Sequence, residues 1–273
     1  MFRNDYSELV HDRILEAICK YKNETNIPYG CDYHSKNAEK YILDCFKTKK
    51  SKVHFLVGGT QTNMTVISYI LKDYEGVIAC RSGHINVHET AAVEASGHKI
   101  FTVEGKNGKV YPSDVIKALK ENYNEHTVKL KMVYISDSTE IGTIYTLKEL
   151  KDLYECCKEN GLYLFIDGAR LGVALTSSSN DVKPSDIAKY SDVFYIGGTK
   201  NGMMIGEAVV INNKELQEDF RYQIKNKGAM LAKGYLVGIE FEEAFKDNLY
   251  FEIAKNSNLM AEKIQEGLNQ IYF

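Results

Sequence analysis

Two nearly unbroken apolar runs constrain what this chain can fold into. Residues 163–166 read YLFI and end in Asp167; residues 193–196 read VFYI and run into GGTKNG, which sets Lys200 between Gly198 and Gly202. Four consecutive apolar or aromatic residues leave no polar face, so such strands belong in a parallel sheet covered on both sides. The 33 residues from Asp167 to Lys200 match one crossover of strand, helix and strand. Both side chains are therefore expected at neighbouring strand ends.

The same alternation extends in both directions. Strands are expected at 53–57, 76–80, 98–103, 128–135 and 206–211, with helices at 60–72, 85–96, 112–122 and 146–159. This gives an α/β fold, a mostly parallel seven-stranded sheet with helices on both faces. Residues 1–50 read as a helix plus an irregular arm, 51–240 as the main unit, and 241–273 as a linking helix. With 44% hydrophobic residues in a 273-residue chain, there is apolar mass for one large core.

Several function classes are disfavoured by bulk properties. A net charge of −3, with lysines dispersed rather than clustered, provides no field for nucleic acid or anionic lipid. No apolar run reaches the roughly 20 residues of a spanning helix, and MFRNDYSELVHDRIL lacks the apolar centre of a signal peptide, so a cytoplasmic location is expected. The six cysteines form no CxxC pair and read as reduced and mostly buried, Cys156 and Cys157 as packing residues of a helix.

The chemistry-bearing residues gather after the expected strands. A carboxylate closing an apolar strand is expensive to bury unless it meets a cation or pairs with Arg170, three residues on. Lys200, between glycines that admit a bulky ligand, reads either as a reactive amine or as a solvated loop lysine. A carboxylate and an amine so placed are what pyridoxal 5'-phosphate chemistry needs. The amine reacts with the aldehyde, and the acid keeps the pyridine nitrogen protonated so that the ring accepts electrons.

VHFLVGGTQTN, at 53–63, is a strand, a Gly-Gly turn and a helix start that could cradle a phosphate, although a plain tight turn explains Gly58 and Gly59 equally well. His84 follows the strand at 76–80, where an imidazole could stack on a flat ring or simply lie at the surface. His84 and His88 are spaced i, i+4, but the HExxH order of a zinc helix is absent and no metal is expected.

PYGCD at 28–32, GGTQTN at 58–63, GHINVHE at 83–89, GTIYTLKEL at 142–150, DGARLGVAL at 167–175 and GGTKNG at 197–202 together resemble the threonine aldolase branch of the fold-type I pyridoxal phosphate enzymes, over nearly the whole chain. The resemblance implies an aspartate aminotransferase-like large domain, a homo-oligomer (dimer or tetramer) with sites between subunits, and cleavage of threonine or allo-threonine to glycine and an aldehyde. It implies Lys200 as the covalent cofactor anchor, His84 on the ring, Asp167 at the pyridine nitrogen and Arg170 near the phenolic oxygen or a substrate carboxylate. Gly59, Thr60 and Gln61 would hold the phosphate, beside Thr199. Asn4, Asp5 and Ser7 would border the amino-acid substrate, and Tyr29 would reach a neighbouring subunit's site.

Three departures accompany the resemblance. Leu231 stands where relatives carry a phosphate-reaching arginine, for which Lys233 or Lys227 could substitute. The histidine of an ENTH-like motif is missing from SDSTEIG at 136–142, which leaves His88 as the candidate acid or base. The small C-terminal domain, with its carboxylate-binding arginine, is expected to be largely missing after GLNQIYF.

Overall fold

The computed structural model describes residues 3–272. Met1, Phe2 and Phe273, at the ends of the first and last expected segments, lie outside the described residues. Two helices, α1 (Asp12–Tyr21) and α2 (Tyr33–Cys45), precede the first strand. The second was not expected. It starts where Asp32 Oδ1 accepts the Ser35 N–H at 2.8 Å, and it buries Ala38 and Ile42.

From there the expected rhythm follows. β1 (Lys52–Leu56) leads into α3 (Gly59–Ile70), and β2 (Glu75–Cys80) into α4 (His84–Val87) and α5 (Ala92–Ala95). The single helix expected at 85–96 is thus two short ones, because Thr90 and Ala91 take positive φ of 49° and 59°. That break turns Glu89 into the interior. Next come β3 (Ile100–Val103), α6 (Pro112–Glu121), β4 (Lys129–Ser136) and α7 (Leu147–Glu159). Pro112 occupies the first turn of α6, where its missing N–H costs nothing, and Thr146 with Glu149 forms a capping box ahead of α7. The run closes with β5 (Tyr163–Asp167), α8 (Leu171–Thr176), α9 (Pro184–Lys189), β6 (Val193–Gly197), β7 (Glu207–Ile211), α10 (Phe220–Asn226), α11 (Tyr235–Lys246) and the long α12 (Leu249–Tyr272).

The seven strands form one sheet in the order β1-β7-β6-β5-β4-β2-β3. All pairings are parallel except those of β7, which runs antiparallel to both β1 and β6. Each face carries its own apolar layer. One contains Ile78, Val133, Ile166, Phe194 and Val210 beneath α2, α6, α7, α11 and α12; the other contains Val77, Tyr134, Phe165, Tyr195 and Val209 against α3 and α10. Alternation along the strands sorts these residues, and Asp167 shares its face with Phe165.

Among the cysteines, Cys80, Cys156 and Cys157 are buried, whereas Cys19 and Cys31 are exposed and Cys45 is half-buried; all six are free thiols. The expectation of mostly buried cysteines holds for half of them. Cys156 and Cys157 pack into the core, and burial pushes the Cys157 thiol well above its ordinary value. No helix among the described residues is long and apolar enough to cross a membrane.

Candidate active site

Asp167 ends β5 and Lys200 lies just beyond β6, its parallel neighbour. The strand ends touch through glycine. Gly197 N–H donates to Gly168 O at 2.9 Å, and a Cβ on Gly168 would stand 1.9 Å from Tyr195 O, so no other residue fits there without moving the backbone. Lys200 and Asp167 line one cavity of about 350 Å³ with Gly58, Gly59, Thr60, His84, Arg170 and Thr199. Of the residues expected at the cofactor, only Gln61 is absent from that lining. Its Oε1 accepts the Val57 N–H at 3.4 Å, and its backbone N–H belongs to the first turn of α3.

Asp167 is buried at 3% exposure, and four neutral donors meet its carboxylate. Tyr195 Oη–H (2.5 Å) and Ala169 N–H (3.0 Å) donate to Oδ1; Tyr134 Oη–H (2.5 Å) and Asn63 Nδ2–H (2.9 Å) donate to Oδ2. The alternative pairing of Asp167 with Arg170 does not form. Arg170 instead holds Asp5 through a bidentate bond, Nε–Oδ2 at 2.5 Å and Nη2–Oδ1 at 3.1 Å. Burial opposes the guanidinium charge, but the Asp5 carboxylate outweighs it and holds Arg170 above its ordinary value.

His84 sits over this floor. Its Nδ1 bonds Glu89 Oε1 at 2.7 Å, and the same oxygen accepts Asn63 Nδ2–H at 2.7 Å, so one asparagine bridges the carboxylates of Glu89 and Asp167. The Glu89 bond raises the His84 pKa, outweighing the opposing effect of burial. His88 is exposed, with its ring centroid 5.4 Å from that of His84. Opposite, Lys200 Nζ stands 5.7 Å from the Tyr6 ring. Glu207, at the start of β7, accepts the Gly198 N–H at 3.1 Å; burial pushes its carboxyl up to about 8, so it is predominantly protonated at neutral pH.

The remaining expected residues fall elsewhere. Asn4 and Ser7 line a larger adjoining cavity of about 810 Å³, where Asn4 Oδ1 accepts the Ser7 hydroxyl at 2.8 Å. Tyr29 lies outside the Lys200 cavity and beside Leu231, its N–H donating to Ala232 O at 3.0 Å. Lys227 and Lys233 also stand outside that cavity.

Pyridoxal 5'-phosphate fits the residues present. α3 opens on Gly58, which has no side chain to cap it, so the first N–H groups of the helix, at Gly59, Thr60 and Gln61, stand ready for an anion. Thr199 Oγ1, in the same cavity, is buried with no hydrogen-bond partner among the described residues. A buried acid and an amine complete the set.

The family model described as beta-eliminating lyase matches residues 12–272. The chain belongs to the beta-eliminating lyase family. Within that family it is 30% identical to the low specificity L-threonine aldolase of Pseudomonas aeruginosa, over 87% of this chain and 69% of the relative. It is 31% identical to the enzyme of the same description from Pseudomonas sp. strain NCIMB 10558, over 86% and 68%. A solved threonine aldolase of Leishmania major superposes with a TM-score of 0.97 at 47% identity, covering 98% of this chain and 78% of that one. Aspartate aminotransferase of Thermus thermophilus, at 15% identity and a TM-score of 0.74, shares the fold. This family member is a pyridoxal phosphate-dependent lyase of fold type I.

Sequence reasoning missed Asn63, Glu89, Tyr134, Tyr195 and Glu207, and also Glu140, which lines the same cavity as Lys200. Tyr134 and Tyr195 sit inside apolar strands and read as core. The signal available was that a buried phenol needs a partner for its hydroxyl.

Proposed function

We propose that this lyase cleaves L-threonine and L-allo-threonine to glycine and an aldehyde. What carries the reading is the adjacency of Asp167 and Lys200 in one cavity, with the Arg170 fork at its edge, together with the likeness to threonine aldolases. When bound, pyridoxal phosphate supplies a heterocycle that takes up the electron pair of the broken Cα–Cβ bond. Lys200 holds the cofactor covalently, the Gly59, Thr60 and Gln61 N–H groups bind its phosphate, and Thr199 adds a hydroxyl. Asp167 would face the ring nitrogen, and His84, its Nδ1 held by Glu89, would cover the ring. Arg170 exchanges Asp5 for the substrate carboxylate, because a planar guanidinium suits either partner.

Asn4, Asp5 and Ser7 form the substrate-side wall, and Tyr29 serves a neighbouring subunit of a dimer or tetramer. In this reading residues 51–240 bind the cofactor, residues 1–50 supply the arm, and the enzyme works in the cytoplasm. Borohydride trapping followed by peptide mapping tests the anchor, and label anywhere but Lys200 would remove it. Product analysis tests the reaction: glycine and aldehyde are expected, and release of only ammonia and keto acid would replace aldol cleavage by elimination.

A further inference from the structure

The cavity needs one group to take the proton of the substrate β-hydroxyl, and the obvious acids and bases are already committed. Asp167 has about four acceptor positions and four donors on them. Glu207 is predominantly protonated at neutral pH. His84 has Nδ1 tied to Glu89, and in the reading above its ring is taken up by covering the cofactor.

Glu140 differs. It follows β4, is half-buried and lines the cavity together with Lys200, His84 and Arg170. Only one of its oxygens is engaged: Oε1 accepts the His84 backbone N–H at 2.8 Å and the Ser136 hydroxyl at 2.6 Å. Oε2 makes no hydrogen bond among the described residues. Two donors from different elements thus fix the carboxylate at one end and leave the other end for a ligand. His88, the alternative, is exposed and makes no side-chain hydrogen bond among the described residues, so nothing aims its ring.

We infer that Glu140 is the general base of the cleavage, a role that rests on the aldol reading above. Oε2 takes the β-hydroxyl proton, and the O–H electron pair becomes the second bond of the aldehyde carbonyl. The Cα–Cβ bond breaks, and its electron pair remains with Cα and the cofactor. The same proton returned to Cα completes glycine and leaves Glu140 as it began. Arg170, His84, His88, Asp167 and Lys200 line the same cavity as this carboxylate, and its charge reaches the Arg170 guanidinium and the Tyr134 phenol.

The test is Glu140→Gln, which keeps an oxygen for His84 N–H and Ser136 but cannot take a proton. Expected are unchanged pyridoxal phosphate binding and an unchanged Kd for glycine, with kcat for L-threonine about 10²–10⁴-fold lower. Glu140→His should restore part of kcat and move the acidic limb of the pH profile upward, since imidazole titrates about two units above a carboxyl group in model compounds. More than a tenth of normal kcat in Glu140→Gln, or lost cofactor or glycine binding, would overturn the assignment. So would His88→Ala showing the large kcat loss in its place. Absence of glycine from the unsubstituted enzyme would instead remove the aldol reading and this role with it.

Discussion

Tyr195→Phe tests the physical core of the site. The change deletes one hydroxyl, 2.5 Å from Asp167 Oδ1, and leaves Ala169 N–H as that oxygen's remaining donor. A hydrogen bond to a buried charged group contributes about 1.5–3 kcal/mol, against a total of about 5–15 kcal/mol for a typical domain. Urea unfolding of the cofactor-free protein, followed by circular dichroism, should show a loss in that range. The cofactor-loaded protein should lose less. With every acceptor position of Asp167 filled, a protonated ring nitrogen has to share or displace a donor, and the variant has one position open. The difference appears as tighter cofactor binding, about tenfold for each 1.4 kcal/mol by which the two losses differ. A loss below about 0.5 kcal/mol in the cofactor-free protein, or weaker cofactor binding, would refute the view that Asp167 is saturated by neutral donors.

Other consequences can be measured separately. Glu89→Gln should lower the His84 pKa, read by NMR titration. Because the folded value is raised, His84 adds stability that is complete below its unfolded pKa and lost as pH rises through the folded one, and the variant should flatten that slope. Glu207 contributes in the same sense: its folded value of about 8 lies above 4.5, so stability falls as pH rises from 4.5 towards 8. Glu207→Gln should remove that share in pH-dependent melting, while the buried Asp137 and Glu240, each near 7, keep theirs. Asp5→Ala should change stability by less than about 1 kcal/mol, since the pair is over one-third exposed, yet lower KM for threonine by freeing Arg170. An unchanged KM would show that Asp5 does not compete with substrate.

How much of this the sequence revealed depended on how local each cause was. Asp167 and Lys200 were legible because an apolar run with no polar face can lie only inside a covered sheet, and the glycines beside them mark where strand ends crowd together. The break at Thr90 and Ala91 was not legible. It accompanies the inward turn of Glu89 towards Asn63, 26 residues away in the chain. The four donors of Asp167 come from β4, β6, α3 and the turn after β5, a convergence that no window of neighbouring residues displays. The arm near Asn4 was assigned a place by resemblance, and its actual hold, Asp5 on Arg170, spans 165 residues. Local capping signals at Pro112 and Thr146 needed no such convergence and were read within a residue or two.

The antiparallel insertion of β7 has a consequence for biosynthesis. Among the described residues β1 pairs in the sheet with β7 alone, and Lys52 faces Ile211. A growing chain therefore exposes the glycine turn after β1 long before the strand that anchors it has left the ribosome. Vitamin B6 capture must wait for residue 211 to emerge, which makes it a late checkpoint on a finished sheet rather than a seed for folding.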